Sequence, residues 1–132
     1  MRMKPVLEAA DAAAMMAAAK AEAGKNGWSV TIAIVDEAGV LLALERMDGA
    51  PPRSPDVAAD KARTAAQFRR PSKAFQDILK ERPEMARMPV LPVQGGVPVM
   101  AGSDCVGAIG VSGAQSHEDE QVAFAGAAAI KG

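Results

Sequence analysis

WSVTIAIVDEAGVLLALER, residues 28–46, holds two apolar runs around Asp36-Glu37-Ala38-Gly39. Trp28–Val35 is rich in β-branched residues, and Val40–Arg46 follows after a four-residue turn, the pattern of a β-hairpin. Neither run alternates cleanly between apolar and polar residues. Such strands need cover on both faces, or on one face plus a partner subunit. Helices are therefore expected on the sheet to which this hairpin belongs.

The flanking segments supply them. On the N-terminal side a helix is predicted from residue 5 to about 23: Pro5 suits the first turn, alanines fill the body, and Gly24 with Asn26-Gly27 stops it. Val6, Ala10, Ala13, Ala17 and Ala21 trace a smooth face, expected to pack flush against a sheet or a second helix. On the C-terminal side, Met47–Arg53 is a loop, and Ser54-Pro55-Asp56 opens a helix to about Phe68 with Ser54 as its cap. Pro71 stops that helix, and Ser72 is expected to cap another over 73–81. Pro83–Pro92 is irregular and Met-rich. Gln94-Gly95-Gly96 reads as a turn, Val97–Ala101 as a strand whose Pro98 marks an edge, and Cys105–Val111 as a further strand. Ser116 opens a last helix to about Ile130, with Asp119 at the spacing of a capping box. The order α-β-β-α-α-β-β-α predicts an α+β fold, an antiparallel β-sheet flanked by helices, as one domain over residues 1–132.

Composition narrows the functions open to such a domain. Lys and Arg number 15 against 16 Asp and Glu, so the basic excess of a nucleic-acid-binding protein is missing. Twenty-nine alanines, 3% aromatic residues and no Tyr give a core that brings backbones close but buries little area per residue. A small domain of this kind is expected to self-associate. The single cysteine, Cys105, excludes an intramolecular disulfide and fits a reducing, cytoplasmic location. Glu8 and Asp11 interrupt the N-terminal apolar stretch, which reads as a helix rather than a signal peptide. No run approaches the roughly 18 apolar residues of a membrane span.

Chemistry-bearing residues are few. Val57, Lys61, Thr64 and Phe68 share a helix face, so Lys61 must snorkel, meet an acid, or line a site for an anionic ligand. Arg46 ends an apolar strand, where its guanidinium either grips a ligand carboxylate or pairs with Glu45 or Asp48. Gly95-Gly96 and the run Gly107–Ala114 place backbone N–H groups where a ligand oxygen can approach, but neither is a phosphate loop or a dinucleotide fingerprint. His117, the only histidine, sits at a helix start and is either a solvated surface residue or a ligand-binding group. Glu118, Asp119 and Glu120 are expected to complement the helix dipole. One His and one Cys leave no structural zinc site, and Ser112 with His117 is a poor serine triad. Cys105 is expected to be packed in its strand.

Taken in order, Val35-Asp36-x-x-Gly39, Arg46-Met47-Asp48-Gly49-Ala50, Lys61-Ala62-x-Thr64-Ala65, Gly95-Gly96-Val97-Pro98, Gly107-x-Ile109-Gly110-Val111-Ser112-Gly113 and Asp119-Glu120 form a specific set. The chain resembles the GlcG/HbpS family, also called the haem-degrading or DUF336 family, which includes the C-terminal domain of PduO-type proteins. The resemblance runs from about residue 5 to 130. It implies a profilin-like α/β sandwich, assembly into dimers and often larger oligomers such as octamers, and haem binding with haem degradation or redox sensing. Some haem-binding members ligate iron through a histidine of the first helix; here that helix carries Met15 and Met16, and no histidine precedes His117. Met85, Met88 and Met100 add further thioethers. Other members accompany catabolic operons. The anion-suited groups of the set point to a second reading, a small-molecule enzyme or binding protein, of isomerase, tautomerase or lyase type, acting on an organic acid in a catabolic pathway. In that reading Arg46, Lys61, Gly95, Gly96, Ser112, Gly113 and His117 hold the ligand, with Lys61, Asp119 and Glu120 as the catalytic groups and no metal. A scaffold subunit without chemistry is the third reading.

Overall fold

The computed structural model describes residues 1–130. Helix α1 (Ala9–Lys25) leads into β1 (Thr31–Asp36) and β2 (Leu41–Arg46), then α2 (Ser54–Phe68), α3 (Ser72–Glu81) and a single 3-10 turn at Pro83–Arg87. Strands β3 (Gly96–Ala101) and β4 (Asp104–Ser112) and helix α4 (Ser116–Ala127) complete the order α-β-β-α-α-β-β-α. The sheet is antiparallel throughout, with strand order β2-β1-β4-β3. No described helix is long and apolar enough to cross a membrane.

The sheet has two different faces because its strands alternate. Ile32, Ile34, Val97, Ile109 and Val111 point to one side, where Met15, Ala19 and Ala23 of α1 and Val122 and Ala123 of α4 cover them. Ala33, Val35 and Ala108 point to the other and meet only alanines of α2: Ala58, Ala59, Ala62, Ala65 and Ala66. That layer is thin enough to bring helix and sheet backbones together. A Cβ on Gly110 would lie 2.1 Å from the Ala58 carbonyl oxygen, so the position admits no side chain.

Several local expectations are corrected. Helix α1 begins at Ala9, not residue 5, because Asp11 accepts a hydrogen bond from the Glu8 backbone N–H (2.8 Å) and so fixes the first turn. Its expected packing face is the exposed one: Ala10, Ala13, Ala17 and Ala21 face solvent. Ala12, Met15, Met16, Ala19 and Ala23 are buried instead. In an almost all-Ala helix the larger Met15 and Met16 choose the buried side, since they gain most by leaving water. Strand β1 starts at Thr31 rather than Trp28, and α4 ends at Ala127. The continuous apolar run of β1 is fully covered, whereas β2 leaves Leu41, Leu42 and Leu44 at 48%, 43% and 38% exposure.

The three expected caps also differ. Ser54 lies inside α2, buried, donating to the Pro51 carbonyl (2.6 Å) and sharing a hydrogen bond with Thr31 (2.8 Å). Ser72 is likewise buried and ties α3 to β3, accepting from Gly96 N–H (2.8 Å) and donating to the Val93 carbonyl (2.6 Å). At α4 it is Glu118, not Asp119, that closes the first turn, by accepting from the Gln115 N–H (3.1 Å). In each case a buried polar partner elsewhere claims the side chain that spacing alone assigns to a cap.

Candidate functional site

Helix α2 lies across β1, β4 and β3 with Lys61 directed inward. The bulk that would push a Lys stem outward is absent: a Cβ on Gly95 would lie 2.7 Å from Lys61 Nζ. Lys61 is 2% exposed and so is Asp119 of α4. Nζ donates to Asp119 Oδ2 (3.1 Å) and to the Val111 carbonyl (3.0 Å), while Asp119 Oδ1 accepts from the Ala114 N–H (3.0 Å). The pair therefore ties α2, the end of β4 and α4 at one point. Burial pushes the Asp119 carboxyl above its ordinary value, against the opposing pull of the Lys61 ammonium and the Ala114 N–H. A carboxyl that holds its proton more tightly, beside an ammonium and out of water, is suited to exchange a proton.

A strap from Pro89 to Gly96 closes the cluster. Thr64 Oγ1 accepts from the Leu91 N–H (3.1 Å), Gln76 accepts from the Gln94 N–H (2.8 Å), and Gln94 Nε2 donates to Glu120 (3.0 Å). Gly95, Gly96, Lys61, Asp119 and Glu120 thus gather around one cluster, beside Ser112 and Gly113 at the end of β4. Gln76 escapes sequence reading altogether, and Thr64, Ser72 and Gln94 read there as a helix-face residue, a cap and a turn residue rather than as the groups that hold the strap. The Pro-flanked Pro89–Pro92 stretch was the available signal, since a strap outside the sheet needs side-chain partners for its backbone.

Two expected members lie elsewhere. Arg46 sits opposite Thr31, which sits opposite Ser112, so a whole strand separates Arg46 from the β4 end. Its Nε and Nη2 donate to the Ala50 carbonyl at 3.1 and 2.8 Å, and Glu45 pairs with Lys20 (2.5 Å) rather than with Arg46. His117 is exposed at the start of α4.

On the far face, a groove of about 320 Å³ runs between α1 and β2, lined by Ala9, Ala12, Ala13 and Met16 and by the β2 backbone from residue 42 to 45, with Ala43 and Glu45 on the α1 side. It meets a second hollow of similar size at Glu45, flanked by Lys20 and Arg46. Met16 is 9% exposed at this groove, whereas Met15 is fully buried in the core.

Two helical layers on a four-stranded antiparallel sheet, one layer closed by a buried ion pair and the other open in a groove beside β2, define a small α+β sandwich. The model of the family described as "Haem degrading protein HbpS-like" matches residues 7–128, and the chain belongs to that family. It is 42% identical over 114 residues to Protein GlcG of Escherichia coli strain K12, covering 85% of each chain. It superimposes on a double mutant of HbpS from Streptomyces reticuli with a TM-score of 0.92 at 38% identity, covering 98% of this chain and 90% of that one. A PduOC–haem complex shares the fold, with a TM-score of 0.87 at 24% identity, covering 96% of both chains.

Proposed function

We propose that the protein, acting as one domain in the cytoplasm, binds haem in the groove between α1 and β2. The observation that carries this reading is the composition of that groove: Ala9, Ala12 and Ala13 form a low wall without projecting side chains, and Ala43 of β2, in register with Ile34 on the α1 face, lies opposite. Such a slot suits a flat apolar ring, because both walls lose water on contact and neither must rearrange. Lys20, paired with Glu45, stands at the end of the groove where a ring carboxylate would compete for its ammonium. Met16 supplies a soft thioether that would ligate iron. The bound group supplies the redox chemistry that haem degradation or redox sensing requires; this chain's residues bind it, orient it and exclude water. The relatives support the same reading through the haem-degrading description of the family.

Self-association, into a dimer or a larger ring such as an octamer, fits the β2 edge. Leu41, Leu42 and Leu44 leave an exposed apolar area there that a second copy would cover. Titration of the purified protein with haemin tests the ligand assignment. A saturable Soret shift at stoichiometric haemin is expected, with Met16→Ala weakening binding about tenfold or more. An unchanged haemin spectrum at that ratio removes the reading.

A second reading is favoured by Asp119, whose carboxyl is raised beside Lys61. Here Lys61, Asp119 and Glu120 move a proton on a small organic acid held by Gly95, Gly96, Ser112 and Gly113 once the strap lifts, as an isomerase, tautomerase or lyase would require. Small carboxylates would then raise the melting temperature of the wild type, whereas Lys61→Ala, which removes the cation of the cluster, would show no shift from its own unliganded value. Equal responses from both proteins, or from neither, exclude it.

A further inference from the structure

A cavity of about 330 Å³ lies on the outer side of the strap, between the outer face of α2 and Pro89–Leu91. Its floor is Asp60, Arg63 and Gln67, which share a helix face by their i, i+3, i+7 spacing. Its wall is Pro89, Val90 and Leu91. The wall is fixed, since Thr64 Oγ1 accepts from the Leu91 N–H (3.1 Å) while its own proton goes to the Asp60 carbonyl (2.9 Å). The Arg63 stem is fixed as well: it lies against the β1–β2 turn, where a Cβ on Gly39 would be 3.3 Å from Arg63 Cγ, and the φ of +86° at Gly39 favours glycine there.

Arg63 and Asp60 form a half-exposed ion pair across one helical turn (3.3 Å). Exposed pairs of this kind contribute little and exchange partners readily. A ligand bearing only a carboxylate would gain Arg63 but meet the Asp60 charge, and a lone amine would gain Asp60 but meet Arg63. A ligand that brings both charges, a carboxylate and an ammonium on neighbouring atoms, satisfies the two residues at once and leaves the cavity neutral. Gln67 adds an amide that donates or accepts. Val90 and Leu91 present apolar surface to any side chain the ligand carries.

We infer that this cavity is a binding site for a small zwitterion of the α-amino acid class with a short apolar side chain, its carboxylate on Arg63 and its ammonium on Asp60. The site shares the Thr64–Leu91 anchor with the strap that closes the Lys61 cluster, but none of the groups assigned to hold or transform a ligand in either site, so its charge requirement is tested separately from both. The test is amide chemical-shift mapping of the full chain with valine, isovalerate and isobutylamine as probes. Valine is expected to give saturable shifts at residues 60–67 and 89–91. Isovalerate and isobutylamine, each lacking one charge, should bind at least about tenfold more weakly, as should valine to Arg63→Gln and to Asp60→Asn, a difference of about 1.4 kcal/mol. Both substitutions lie on the surface and leave the fold intact, which the unchanged remainder of the spectrum checks. No saturable shift with valine, equal binding of the singly charged probes, or undiminished binding to either variant overturns the assignment.

Discussion

Lys61 and Asp119 are each 2% exposed and satisfy one another, so removing either strands a charge in a medium that solvates it poorly. Lys61→Met is expected to lower unfolding free energy by about 3–5 kcal/mol. The double variant Lys61→Met/Asp119→Leu should recover much of that loss, because two apolar groups need no partner. Urea unfolding of the four proteins of this cycle measures the coupling, and additive losses would show that the two residues act independently. The cluster also has a pH signature. Burial raises the Asp119 carboxyl above 3.8, so the folded state binds its proton more tightly than the unfolded chain. Stability from this group is therefore complete below pH 3.8 and is lost as pH rises through the raised folded value. The stability difference between wild type and Asp119→Asn should fall with rising pH across that window; a difference that grows instead contradicts the raised carboxyl.

At the scale of elements, α2 rests on the sheet through backbone and alanine alone. A Cβ at Gly110 would lie 2.1 Å from the Ala58 carbonyl and 2.5 Å from the Ala62 nitrogen, both main-chain atoms of α2 that cannot rotate away. Gly110→Ala is expected to lift the helix and destabilise the fold by at least about 1–3 kcal/mol. Gly24→Ala is the control: it sits in the last turns of α1 with nothing within 4 Å of the added carbon, and should stabilise by roughly 0.5–1 kcal/mol. Denaturant midpoints of the two variants moving in the same direction would refute the close-contact account of α2. The helix order and hairpin were legible because β-branched runs, Pro at helix starts and Gly at turns act locally. The buried face of α1 was not, since alanine offers no contrast between sides and two methionines settled the matter through packing with β1 and α4.

For the whole molecule, the two sheet edges differ. Strand β3 carries Pro98, which removes a backbone donor and blunts its edge, whereas β2 presents Leu41, Leu42 and Leu44 with no such protection. Leu44→Lys, on the exposed edge, is expected to shift the protein to a smaller assembly in light scattering while changing monomer stability by less than about 0.5 kcal/mol. An unchanged molecular mass would place the contact between copies elsewhere.

Sequence alone determined the element order and the antiparallel α+β class, and singled out Lys61, Gly95, Gly96 and Asp119 as candidates, because propensity, turn chemistry and motif spacing are written along the chain. Tertiary structure alone decided that Lys61 turns inward to Asp119, that Arg46 spends its guanidinium on Ala50, and that Ser54, Ser72 and Asp119 are claimed by partners from 23 to 58 residues away. The physical reason is burial. A polar group removed from water takes whichever partner the fold brings within reach, and spacing along the chain does not encode which one that is.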